Sequence, residues 1–142
     1  MRIWKTDFTV EGLNNAQTGN MGQHLGIEFT EIGDDYLVAR MPVDERTKQP
    51  MGLLHGGASC VLSESLGSVA SILCVENMNT HSIVGVEINA NHLSSARSGF
   101  VFGTVRPIRV GRTLQVWNTE IKDEKGKLLC VSRLTVAVVP IG

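Results

Sequence analysis

The sequence has no excess of charge of either sign. Its 142 residues carry a formal net charge of −1, from 13 basic and 14 acidic side chains. Such a chain has no general attraction to nucleic acid or to an anionic membrane, so neither is a predicted partner. Hydrophobic residues make up 42% and charged residues 19%. This balance excludes a disordered tail and predicts a globular protein with its own core.

Cysteine is scarce and shows no paired spacing. The three cysteines, Cys60, Cys74 and Cys130, are an odd number, which argues against a disulfide framework and predicts free thiols in a reducing compartment. The first seven residues lack the apolar core of a signal peptide. No uncharged apolar run reaches membrane-spanning length, since Glu64 interrupts residues 56–75. Together these absences predict a cytoplasmic protein with no membrane partner.

The hydrophobic pattern predicts one domain over residues 1–142. Apolar runs around Gly33 predict a hairpin over residues 27–43. A long run of small and apolar residues predicts a buried helix over residues 56–76. Stretches rich in Val, Ile and Thr predict four strands over residues 82–93, 100–109, 113–123 and 128–139. One helix among runs of strands predicts an α+β fold, with a curved antiparallel sheet wrapped around the helix.

Glu64 is the only formally charged side chain between Gln49 and Val75. A carboxylate on so apolar a helix carries a desolvation cost unless it is paired or belongs to a site. Burial without a cation would raise its pKa and suit it to act as a general base or nucleophile. The alternative is a glutamate exposed on one stripe of the helix, or paired with a distant arginine.

The segment His55-Gly56-Gly57 comes directly before the helix. Backbone N–H groups in the first turn of a helix have no internal partner and favour negative charge, such as a thioester oxygen becoming an oxyanion. The alternative is a glycine-rich turn required only by tight packing. Gly56 and Glu64 are eight positions apart, or about 12 Å along one helix. If both act on one carbonyl, they come from different subunits, most simply at a two-fold dimer interface.

Other catalytic motifs are missing. The histidines at 24, 55, 81 and 92 have no metal-ligand spacing with one another or with the cysteines, so no metal site is predicted. The sequence contains no phosphate loop, dinucleotide fingerprint or serine nucleophile elbow. The cysteines of the helix are predicted to be packing residues.

Residues 49–59 (Gln-Pro-Met-Gly-Leu-Leu-His-Gly-Gly-Ala-Ser), continuing to Glu64 and Ser68, resemble the hot-dog-fold acyl-CoA thioesterases. The branch is the one related to 4-hydroxybenzoyl-CoA thioesterase with glutamate on the central helix. The likeness extends to residues 3–5, 41–44 and 87–92. Within that branch the chain is most similar to the 1,4-dihydroxy-2-naphthoyl-CoA thioesterases of menaquinone biosynthesis. The proofreading thioesterases of enterobactin synthesis are near siblings.

The resemblance implies roles for five residues. Glu64 is expected to be the nucleophile or general base, and the Gly56 N–H and Gln49 are expected to polarise the thioester carbonyl. His55 is expected to support that loop, and Ser68 to assist Glu64 or its water. The resemblance further implies a homotetramer built from two dimers, with active sites at the dimer interfaces, and no metal or redox cofactor.

Coenzyme A brings several negative charges that need cations at a surface. The residues expected by resemblance and chemistry to bind the substrate and its CoA are Gly85, His92, Ser94, Ser95, Arg97, Arg109 and Arg112. The segment 92–97 and the loop 109–112 are expected at the nucleotide end. The glycine would let the pantetheine arm lie against the strand. A serine at 94 departs from the basic residue expected there. The alternative for any one arginine is a solvated strand edge.

The predicted reaction is hydrolysis of an aromatic acyl-CoA to the free acid and CoA, with Leu62, Leu66 and Val69 lining the aryl pocket. One rival is a proofreading thioesterase that frees misacylated carrier proteins. Another is a hot-dog protein that binds acyl-CoA without cleaving it. A third, dehydration on the same fold, would need a histidine and an aspartate facing the acyl chain, and the helix offers only Glu64.

Overall fold

A computed structural model describes residues 1–142 as three helices and six strands. The helices are α1 (Val10–Ala16), α2 (Met21–His24) and α3 (Gly56–Leu73). The strands are β1 (Glu28–Ile32), β2 (Leu37–Pro42), β3 (His81–His92), β4 (Phe100–Val110), β5 (Leu114–Asp123) and β6 (Leu128–Pro140). The predicted hairpin, long helix and four strands are confirmed, and α3 ends three residues earlier than predicted.

All six strands form one antiparallel sheet in the order β1-β2-β4-β5-β6-β3. Strand β3 follows α3 in the chain but lies at one end of the sheet, where it pairs with β6 alone. Its outer edge is therefore unpaired along 12 residues. Most of its side chains are exposed, whereas β5 and β6 alternate between buried and half-buried positions.

Helix α3 lies on the concave face of the sheet and contacts β2, β3, β4, β5 and β6. Leu62, Leu66 and Ala70 are fully buried and form the centre of the core. The helix approaches β6 closely at Gly67, where an added Cβ would lie 2.5 Å from Leu134 Cδ2. This contact explains a glycine that costs about 1 kcal/mol of helix propensity.

Helix α3, predicted to be buried, is buried on one side only within the single chain. One face is buried, but Cys60, Val61, Ser65 and Ser68 are half-buried and Glu64 is exposed. The sheet packs on the buried side and leaves this side largely open. The helix has the length and mean hydropathy of a membrane span, 18 residues at 1.2. Its packing on the sheet is nevertheless that of the core helix of a globular domain.

Candidate active site

The N-terminus of α3 has one free backbone donor. His55 caps the helix, and its Nδ1 accepts a hydrogen bond from the Gly57 N–H at 2.8 Å. The His55 carbonyl accepts from the N–H groups of Ala58 and Ser59 at 3.0 and 3.3 Å. The Gly56 N–H has no partner in the chain. It is therefore the group that can donate to a ligand, and the helix dipole favours negative charge there.

Gln49 is held in the loop before α3 with its amide nitrogen free. Its backbone N–H donates to the Leu53 carbonyl at 2.8 Å. Its side-chain Oε1 accepts from the Met51 N–H. Since the acceptor end is occupied, the Nε2 hydrogens remain available to a ligand oxygen. This geometry matches the donor role that the resemblance implies for Gln49.

A cavity of about 400 Å³ joins these groups. Its lining residues are Gln49, Leu53, Leu54, Gly56, Ser59, His92, Leu93, Ser94, Ser95 and Leu129. Five of them belong to the predicted site. Ser59 and the leucines were not predicted. Ser59 lies three residues after Gly56, on the same side of the helix, and that spacing was the available signal.

Glu64 lies outside this cavity. Its Oε2 is 3.0 Å from the position that a Cβ on Gly85 would occupy, so the missing side chain on β3 leaves room for the carboxylate. The sequence left open whether Glu64 is buried or exposed, and in the single chain the residue is exposed. It has no ion pair and no side-chain hydrogen bond. The alternative from the sequence, a glutamate exposed on one side of the helix, therefore applies to the single chain.

The three cysteines do not supply a second nucleophile. Burial, and the nearby Glu64 carboxylate, raise the pKa of the Cys60 thiol. Burial raises the pKa of Cys74 and of Cys130 to about 11. All three therefore favour the protonated thiol, which is a poor nucleophile. Ser68, one turn beyond Glu64, is half-buried on the same side.

The structure separates the predicted CoA-binding residues within one chain. Arg112 lines a second cavity, of about 770 Å³, beyond the C-terminus of α3, together with Lys5 and His81. No residue lines both cavities. The exposed side chains of Arg97 and Arg109 line neither.

The predicted aryl pocket is corrected by the packing. Leu62 and Leu66 are fully buried in the core under β4, where they contact the Gly103 position, and they line neither of these two cavities. Val69 is half-buried and packs against the edge of the same core. No group of three or more His, Cys, Asp or Glu side chains lies together where it could hold a metal ion.

Residues 51–130 match the thioesterase superfamily. A 1,4-dihydroxy-2-naphthoyl-CoA hydrolase of Escherichia coli is 58% identical over 137 residues, covering 96% of this chain and 99% of that protein. The chain belongs to the thioesterase superfamily. The proofreading thioesterase EntH of Cronobacter turicensis is 48% identical to this thioesterase, over 96% of the chain and 98% of the relative.

Solved structures agree with this assignment. A thioesterase of Haemophilus influenzae superposes on the chain with a TM-score of 0.94 at 48% identity, covering 97% of this chain and 95% of that one. A mutant thioesterase of Pseudomonas aeruginosa gives a TM-score of 0.95 at 50% identity, with 98% and 99% coverage. The predicted hot-dog fold and thioester hydrolase activity are thereby confirmed. This thioesterase holds free N–H donors at one end of α3 and a free carboxylate on its open side.

Proposed function

We propose that this thioesterase hydrolyses an aromatic acyl-CoA, specifically 1,4-dihydroxy-2-naphthoyl-CoA, to the free acid and CoA. The substrate is the one named for the relative at 58% identity, and it would make the reaction a step of menaquinone biosynthesis. The observation that carries the proposal is the cavity in which the unpaired Gly56 N–H and the free amide of Gln49 converge. These are the donors that a thioester oxygen needs as it gains charge.

Glu64 is the residue that acts on the carbonyl carbon of the thioester. It attacks the carbonyl carbon, or removes a proton from the water that does so, while Gly56 and Gln49 hold the developing oxyanion. Its carboxylate is unpaired and exposed in the single chain, so no bond within the protein has to be broken first. Ser68, on the next turn, is within range to orient the carboxylate or the water.

A second copy of the chain completes each site. Along one helix Gly56 and Glu64 are about 12 Å apart, whereas both must come within roughly 3 Å of one carbonyl group. The open edge of β3, with Val84 and Val86 48% and 59% exposed, can pair with the same edge of a partner. An antiparallel pair of β3 strands extends the sheet and sets the uncovered sides of the two α3 helices against each other.

Contacts within the chain support one position for the axis of the proposed dimer. Glu64 lies against Gly85, and Gly56 lies against His92. For Glu64 to reach the partner's Gly56, Gly85 must lie near the partner's His92. The axis then crosses β3 near Asn89, midway between the two. The start of β3, next to the cavity of Arg112, would adjoin the end of the partner's β3, so the two groups of CoA-binding residues would meet.

The remaining expectations follow from this assembly. Two such dimers would form the homotetramer that the resemblance implies. Hydrolysis would use water and side chains alone, without a metal or redox cofactor. The three free cysteines support a cytoplasmic location, since thiols stay reduced there.

A carrier protein bearing the wrong acyl group is a second candidate substrate. The relatives named proofreading thioesterase EntH, at 48% identity, favour it. The reacting groups would be the same, because a carrier protein presents its thioester on the same pantetheine arm. Only the surface at the mouth of the site would differ.

A panel of kcat/KM values tests the proposal. The substrates are 1,4-dihydroxy-2-naphthoyl-CoA, a benzoyl-CoA, a long-chain fatty acyl-CoA and an aryl-loaded carrier protein, with the Glu64→Gln variant as the blank. The naphthoyl-CoA should exceed the others by at least about tenfold. A preference for the carrier protein would replace the first candidate with the second. Rates no higher than uncatalysed hydrolysis in buffer for every substrate would exclude both.

A further inference from the structure

We propose that His92 is a catalytic residue that donates a proton to the departing thiol of CoA. This inference rests on the proposed function, and it assigns His92 to the thioester rather than to the nucleotide end of the substrate. It concerns the step after the carbonyl has been attacked, when the carbon–sulfur bond breaks.

The position of the imidazole carries the proposal. His92 is the last residue of β3 and pairs with Cys130 of β6, so the sheet fixes its backbone. Its Nε2, Cε1 and Cδ2 atoms lie 3.0, 3.1 and 3.4 Å from where a Cβ on Gly56 would be. The ring therefore stands against the first residue of α3. The absence of a side chain on Gly56 makes room for this ring, which gives the glycine a reason beyond a tight turn.

A bound thioester comes within reach of that ring. A Cβ position and the nitrogen of the same residue are about 2.5 Å apart, so Nε2 lies within about 5.5 Å of the Gly56 nitrogen. A carbonyl oxygen accepting from the Gly56 N–H at about 2.9 Å brings its own carbon and sulfur into the space beside the ring. The same cavity is lined by Gln49 and His92, so all three groups face one ligand.

The side chains that line the cavity make His92 the candidate proton donor. Among the lining residues His92 is the only one with a titratable side chain, the others being glutamine, glycine, serines and leucines. The thioester oxygen already has two donors, from Gly56 and Gln49. The thioester sulfur has no such donor from Gly56 or Gln49. Imidazole is the side chain that most often gives and takes protons near neutral pH.

The step balances with water as the nucleophile. The water oxygen bonds to the carbonyl carbon and its proton goes to Glu64. The carbon–sulfur bond then breaks, and the sulfur keeps the electron pair and takes the Nε2 proton of His92. The proton on Glu64 afterwards passes through solvent to the neutral imidazole. The sum is one water and one thioester giving one acid and one thiol.

Two esters with different leaving groups test whether His92 acts in this way. The same naphthoyl group is presented on CoA and on a nitrothiophenol, whose thiolate is stable enough to leave without a proton. His92→Ala and His92→Gln should lower kcat for the CoA ester by about 10²-fold, with KM changed much less. The nitrothiophenyl ester should lose less than about threefold. His24→Ala, at the exposed end of α2, is the histidine control and should leave both rates unchanged.

Two results would overturn the proposal. An equal fall in kcat for the two esters would make His92 a structural or oxyanion residue, and a rise in KM alone would make it a binding residue. The reaction of the variants with the nitrothiophenyl ester also shows that they are folded. The Glu64→Gln variant keeps the two hypotheses apart, because it should lose both reactions. If it loses neither, the role proposed for Glu64 fails whatever His92 does.

Discussion

Glu64 stands in the structure without any contact that the fold requires. Its carboxylate is exposed and makes no ion pair. The side chain rests beside Gly85, where the strand has no Cβ to exclude it. A charged group kept on an apolar helix without a structural partner is better explained by chemistry than by stability.

Replacement of Glu64 by Gln should separate activity from stability. We expect kcat/KM to fall by about 10²- to 10⁴-fold, because an amide can neither attack nor accept a proton. The free energy of unfolding should stay within about 0.5 kcal/mol of the original. Steady-state hydrolysis and urea denaturation measure the two quantities. Glu45→Gln, another exposed glutamate, should change neither. Unchanged turnover in the Glu64 variant would show that hydrolysis does not use the Glu64 carboxylate.

At the scale of elements, the N–H groups in the first turn of α3 have two different uses. Three of them bond within the chain, and one is free to bind substrate. His55 satisfies the N–H groups of Gly57, Ala58 and Ser59. Only the Gly56 N–H remains for a ligand. The helix therefore needs no water or ion to complete its cap, and the free donor is already oriented before substrate arrives.

Two substitutions at Gly56 isolate that donor. Alanine and proline both add a Cβ that presses on His92, but only proline removes the N–H. Proline suits the first position of a helix, and His55 before it is already extended at φ −69° and ψ 131°. We expect kcat/KM of Gly56→Pro to be about 10²- to 10³-fold below that of Gly56→Ala. Circular dichroism should show both folded, and equal rates in the two variants would remove the N–H from the mechanism.

The elements were predictable from sequence because their patterns are local. The small and apolar run of α3, its glycine start and the strands rich in branched residues depend on neighbours a few positions away. Which side of α3 meets the sheet is not local. Leu62, Leu66 and Val69 are all apolar, yet the first two are fully buried in the core and the third is only half-buried at its edge. The predicted aryl pocket failed for that reason.

At the scale of the whole molecule, the outer edge of β3 and one side of α3 are both left uncovered by the chain. The order of the strands, which puts β3 beside β6 and not beside its neighbours in sequence, could not be derived from the strand patterns. The distance between Gly56 and Glu64 could be derived from the sequence, because helix geometry fixes it. That separation predicts a site shared between subunits.

A charge on the β3 edge should break the assembly and the activity together. Val86 is 59% exposed in the single chain and would be covered in the dimer. A lysine there would lose its water of hydration with no partner charge. We expect Val86→Lys to sediment as single copies and to lose at least about tenfold in kcat/KM. Met21→Lys, a change at an equally exposed residue on α2, should leave both measurements unaltered. An active monomer would contradict the shared site.

Complementation between two inactive variants tests the shared site most directly. In a mixed dimer of Glu64→Gln and Gly56→Pro chains, one site collects both changes and the other has neither. Random pairing by co-expression makes half of the dimers mixed, so the preparation should recover about a quarter of the original activity. Each variant purified alone should show almost none. If the mixed preparation is as inactive as its parents, Glu64 and Gly56 act within one chain and the account is wrong.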